Sequence, residues 1–148
     1  MEARAAWVVG PSEVELRSEV LPPVSPGQVR VRTLFSGVSR GTERLVLEGR
    51  VPDEVARGMA APHQVGGFPW PVKYGYSNVG VVEHGSLPPG AVVFCLYPHQ
   101  DRYVVDASAV AFVPAGVPPE RAVLTPNVET ALNAVWDGGV GPGDRVVV

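Results

Sequence analysis

The sequence predicts a mainly β chain, a partly open antiparallel barrel with short helices, and three observations carry that prediction. Its 17 glycines and 16 prolines are spread along all 148 residues, punctuating short segments at intervals typical of barrels and sandwiches. Between them, apolar and polar residues alternate with the period of two that marks half-buried strands. From Pro118 onward the pattern turns helical and closes on an apolar run, the stub of an α/β unit.

Ala5 to Val9 is the first candidate strand. Glu13 to Arg17 follows, with Val14 and Leu16 alternating against charge, and Val29 to Leu34 repeats that period. After Phe35, SGVSRGTERLVLEGR holds a turn and then a helical pattern from Thr42 to Glu48, closed by Gly49. Residues 51–71, rich in Gly, Pro and Ala, read as a long surface excursion of the kind that carries function on a rigid barrel. Within it, Phe68 and Trp70 are expected to anchor the excursion. Strands resume at Val79 to Glu83, Ala91 to Leu96, Arg102 to Val105 and Val110 to Val113.

A helix is expected to start at Pro118 or Pro119, with Glu120 near the positive end of its dipole. Pro126 should interrupt it, and a second helical stretch, Val128 to Trp136, should end at Gly138 and Gly139. Asp144 to Val148 has the apolar pattern of a parallel strand buried on both faces. Such a strand needs neighbours and crossover helices. The expected organisation is therefore a barrel domain over residues 1–117, followed by a connecting helix and the first strand of a second domain over 118–148.

Composition narrows the function. Twelve basic against fifteen acidic residues, net −3, offer no electrostatic reason to expect nucleic acid or an anionic membrane as partner. A small-molecule partner remains open. The amino terminus lacks the pattern of a secretory signal, and no run approaches a membrane span. Cys95 is the only cysteine, so no intrachain disulfide forms and a reducing, cytoplasmic setting is expected. Inside VVFCLYP it reads as a small core residue.

Three motifs then appear in order: SGVSRGTE at 36–43, GYSNVGVVE at 75–83 and GPGDRVVV at 141–148. In them the chain resembles, over nearly its whole length, the amino-terminal chaperonin-10-like (GroES-like) domain of the medium-chain dehydrogenase/reductase superfamily. That superfamily comprises the zinc alcohol dehydrogenases and their zinc-free relatives. Together with PNVETALNAV, the motifs are similar to a zinc-poor branch with bacteriochlorophyllide and threonine dehydrogenase-like sequences. The resemblance implies an NAD(P)-dependent oxidoreductase whose terminal strand opens a Rossmann sheet.

Where the family's zinc ligands fall, this sequence departs. The first cysteine matches Ser39, the histidine Tyr76, the glutamate after it Ser77, and the third ligand Pro126. Zinc takes thiolate and imidazole donors, so the resemblance implies a metal-independent site. Arg40 then matches a basic residue that reaches the cofactor pyrophosphate, and Thr130 a threonine near the nicotinamide. Arg40 could equally pair with Glu43 or Glu48 on the surface. Thr42 or Glu43 occupies the family's proton-relay position.

Tyr76 has two readings, a phenol that donates to a substrate carbonyl and an aromatic wall residue. Ser39 is expected to hydrogen-bond or fill space, because His63, His84 and His99 lack the spacing of a triad or metal motif. No G-x-G-x-x-G follows the last strand, so residues 1–148 alone are expected to be inactive and to bind no NADPH. The exposed apolar strand and helix are expected to favour self-association. The alternative function is a stand-alone chaperonin-10-like barrel that acts as a binding or assembly module.

Overall fold

The computed structural model describes residues 1–147. Among the described residues nine strands form two antiparallel sheets, and all seven strands expected from the alternation before residue 114 are present. One sheet has the order β2-β1-β5-β4, from β1 (Glu2–Gly10), β2 (Glu13–Val20), β4 (Val65–Gly66) and β5 (Val72–Lys73). The other, β8-β3-β6-β7-β9, is built from β3 (Gln28–Ser36), β6 (Asn78–Gly85), β7 (Val92–Cys95), β8 (Arg102–Asp106) and β9 (Val110–Phe112). The second sheet curls around the main core as a half-barrel.

The period of two does the expected work in β3. Val29 and Val31 are fully buried, packed with Val82, Val93, Cys95, Tyr103 and Val105. Arg30 and Arg32 face outward and share the Glu83 carboxylate with Arg102, at 3.2, 3.4 and 3.3 Å. Gly80 of β6 sits directly under this ladder: a Cβ there would lie 2.4 Å from Val31 Cγ1. Cys95 is buried in the same core, where burial pushes its thiol up to about 11. In β2, by contrast, Val14 and Leu16 stay exposed at 55% and 70%, so that alternation marks an open face and not a core face.

The excursion is more ordered than a loop. Residues 51–71 contain a helix, α2 (Asp53–Met59), and the short strand β4. Phe68 packs against Tyr74 at 5.6 Å between ring centroids, and the Trp70 indole N–H donates to the Val46 carbonyl at 3.2 Å. Both aromatics thereby anchor the segment to α1 (Thr42–Leu47) and to a second core cluster of Val46, Val72 and Tyr74. Gly49 ends α1 with φ +63°, where a side chain would also strike the Trp70 ring.

Two helices close the described chain, α3 (Pro119–Ala122) and α4 (Thr125–Asp137). Pro126 does not interrupt a helix. It lies in the first turn of α4, where its missing N–H removes no intrahelical bond. The break falls one turn earlier, at Val123 and Leu124. Residues 144–147 of the expected terminal strand have no ladder partner and no strand assignment. Val148, the end of that expected strand, lies outside the described residues. No helix among the described residues is long and apolar enough to cross a membrane.

Candidate functional site

Glycine, ring and polar residues meet where β6 begins, and consecutive side chains there go to different places. Asn78 points into the core, fully buried: its amide donates to Thr33 Oγ1 at 3.0 Å and accepts from the Tyr103 hydroxyl at 3.1 Å. Ser77 is buried too, and its hydroxyl donates to the Val123 carbonyl at the α3–α4 junction. Tyr76 turns the other way. Its ring stands edge-on to Tyr74, 6.1 Å between centroids. Ser77 thus fastens α4 beside the barrel, and Tyr76 faces the gap left between them.

That gap is a cleft of about 400 Å³, lined by Ser39, Thr42 and Tyr76 from the barrel side and by Pro126, Asn127 and Thr130 from α4. Four of the five expected site residues, Ser39, Thr42, Tyr76 and Thr130, therefore share one wall-to-wall space. The hydroxyls of Ser39, Thr42 and Tyr76 make no hydrogen bond among the described residues. Thr130 Oγ1 donates to the Pro126 carbonyl at 2.9 Å, one turn back in its helix, and keeps its lone pairs for an outside donor. No thiol, imidazole or carboxylate lines the cleft, and the described residues hold no cluster of three His, Cys, Asp or Glu. This donor set does not fit zinc.

Arg40, the fifth residue, lines a different cavity on the other side of the 38–44 segment. Its ion-pair alternatives are taken: Glu48 holds Arg44 and Arg50, at 2.7 and 3.1 Å, and Glu43 pairs with a histidine.

That histidine, His99, is the residue sequence reasoning missed. Segment 99–101 bridges the two sheets: the His99 carbonyl accepts from Ala6 N–H at 2.9 Å, and the Asp101 carbonyl from Thr33 N–H at 2.9 Å. Held there, His99 Nδ1 lies 2.6 Å from Ser36 Oγ, and Nε2 lies 2.6 Å from Glu43 Oε2. Glu43 Oε1 in turn accepts the Ser39 N–H at 2.8 Å. Glu43 is thus committed to a half-buried network, which leaves Thr42 as the relay-position residue that reaches the cleft. Chain distances of 63 and 56 residues hide these contacts from sequence spacing, and neither involves the Ser39 hydroxyl, for which no histidine base is expected. One signal was local: Gly75, at φ +124°, leaves room for the His99 ring, which a Cβ would meet at 3.0 Å.

No family model matches the chain, and no curated protein matches its sequence. Solved structures do. A CAD protein from Helicobacter pylori, solved with NADP(H), superposes with a TM-score of 0.75 at 12% identity, over 98% of this chain and 51% of that one. A short chain alcohol dehydrogenase from E. coli, solved with NADH, gives 0.72 at 16%, over 97% and 48%. The quinone oxidoreductase from Thermus thermophilus, also solved with NADPH, gives 0.69 at 24%, over 98% and 44%. The chain spans about half the length of each. Its fold, a partly open GroES-like barrel, is shared with these structures.

Proposed function

We propose that this domain forms the substrate-side wall of a zinc-independent, NAD(P)-dependent oxidoreductase of the alcohol dehydrogenase-like kind. The observation that carries this reading is the cleft itself. Residues distant in sequence, Ser39, Thr42, Tyr76 and Thr130, converge there with unoccupied hydroxyl capacity, in a fold that the similar structures combine with a nicotinamide dinucleotide. The cofactor, when bound, supplies or accepts hydride.

The chain's own residues have separate tasks. Tyr76 offers its O–H to the carbonyl oxygen of a small substrate, holding it and supplying a proton as hydride arrives. Ser39 and Thr42 orient the substrate by hydrogen bonding in place of a metal. Thr130, on α4, is assigned the cofactor side of the cleft, and Arg40, which lies outside the cleft, the cofactor pyrophosphate. The described residues contain no glycine-rich phosphate turn, so the chain by itself is expected to bind no NADPH.

The test uses the polypeptide in which this domain is joined to a nucleotide-binding domain. Tyr76→Phe should lower kcat by about 100-fold or more, as loss of a general acid does, while a chelator leaves the wild-type rate unchanged. A Phe variant within about threefold of wild type makes Tyr76 a wall residue, on the scale of one weak hydrogen bond. Loss of activity on metal removal would overturn the zinc-free assignment.

A further inference from the structure

Ser39 belongs to two cavities. Besides the cleft, a cavity of about 450 Å³ lies between the β1–β2 hairpin and α1, and Ser39 is the only lining residue that the two share. The volume falls in the range of about 300–1,000 Å³ typical of small-molecule sites. Its walls are apolar, with Ala6 and Val8 from β1, Val14 from β2, and Val46 and Leu47 from α1. Its polar lining residues are the Glu43–His99 pair with Ser39, Arg40 and Arg44.

The free hydrogen-bonding capacity of that lining specifies a ligand. Both His99 nitrogens are engaged, and the Tyr74 hydroxyl is tied to the Met59 carbonyl at 2.7 Å. Each Glu43 oxygen accepts one bond, from His99 Nε2 at 2.6 Å and Ser39 N–H at 2.8 Å, and each keeps a vacant acceptor site. A head group seated on Glu43 must therefore donate. Arg40 and Arg44 border the same cavity and disfavour a cationic donor, while Glu43 disfavours a carboxylate. A neutral hydroxyl on an apolar body meets these conditions, donating to Glu43 and free to accept from Arg40. A phenol, a stronger donor than an aliphatic alcohol, fits a carboxylate acceptor best.

We propose that this cavity is a second small-molecule site, separate from the cleft, which binds a phenol with its hydroxyl donating to Glu43 and its apolar body against Val46 and Leu47. The assignment does not depend on the oxidoreductase reading. The experiment is a titration of the 15N-labelled chain, followed by NMR, with 4-tert-butylphenol and with its methyl ether, 4-tert-butylanisole. The phenol should bind saturably, shifting Ala6, Val46, Leu47 and His99. The ether, unable to donate, should bind at least about tenfold more weakly, the scale of a lost hydrogen bond to a charged acceptor. Val14→Trp, at a wall residue 55% exposed, should fill the cavity and abolish binding while leaving the spectrum dispersed. Equal binding of phenol and ether, shifts that map elsewhere, undiminished binding to Val14→Trp, or no saturable binding of the phenol would each overturn the proposal.

Discussion

Tyr76, Ser77 and Asn78 are adjacent in sequence and do three different jobs, facing a cleft, fastening a helix and satisfying a core. Tyr76 and Ser77 precede the first residue of β6, Asn78, so no strand period sets their directions, and the contacts of each side chain decide its role. The tyrosines divide the same way. Burial pushes Tyr74 and Tyr97 up to about 12 and Tyr103 higher still, with Tyr97 and Tyr103 stacked 3.9 Å apart. In the unfolded chain these phenols ionise near pH 10, at about the model-peptide value. Below that pH they are protonated in both states and leave stability unchanged. Between about pH 10 and 12 the unfolded state binds fewer protons, so stability should fall as pH rises. Urea denaturation at increasing pH, with phenolate absorbance followed in parallel, should show unfolding and ionisation together. Ionisation of all four tyrosines in a folded chain would contradict the burial.

At the scale of elements, Lys73 shows how a two-residue strand is held. Its side chain is 4% exposed, yet its ammonium reaches Glu19 of β2 at 2.6 Å and the Gln100 side chain at 2.9 Å, 6.0 Å from the centroid of the Trp7 ring. Lys73→Ala removes the cation between a half-buried carboxylate and a buried amide, and should cost about 3 kcal/mol by chemical denaturation. A cost under about 1 kcal/mol would place the pair with ordinary surface ion pairs. Nothing in VK or VG announces a strand, since two residues have no period; β4 and β5 exist because β1 offers an edge. The helix break beside Pro126 was misplaced for a related reason. Proline is a breaker in a helix interior and a favoured residue in the first turn, and only the position of the α3–α4 junction tells which applies.

At the scale of the molecule, apolar surface is left open on one side. Val128, Leu132, Val135 and Trp136 of α4 are 59%, 42%, 47% and 68% exposed, and Phe112 of the nearby edge strand β9 is 58% exposed. Patches of this kind are covered in stable assemblies. Sedimentation velocity of the chain should show a weight-average coefficient that rises with concentration, and Leu132→Glu with Trp136→Glu should suppress the rise. A strictly monomeric profile at high concentration would count against self-association through this face.

The sequence by itself determined the barrel class, seven of the nine strands among the described residues and the α1 helix. These are local properties: alternation and turn residues can be read within a few positions. Only the tertiary structure decided that Ser39, Thr42, Tyr76 and Thr130 share a cleft, that Arg40 lies outside it, and that His99 joins Ser36 to Glu43. The physical reason is that such contacts are set by how two sheets are bridged through segment 99–101. That bridge rests largely on backbone hydrogen bonds, which any residue but proline donates and every residue accepts, with Thr33, Lys73 and Asp101 side chains joining it from distant points of the chain. It therefore leaves no local mark in side-chain pattern.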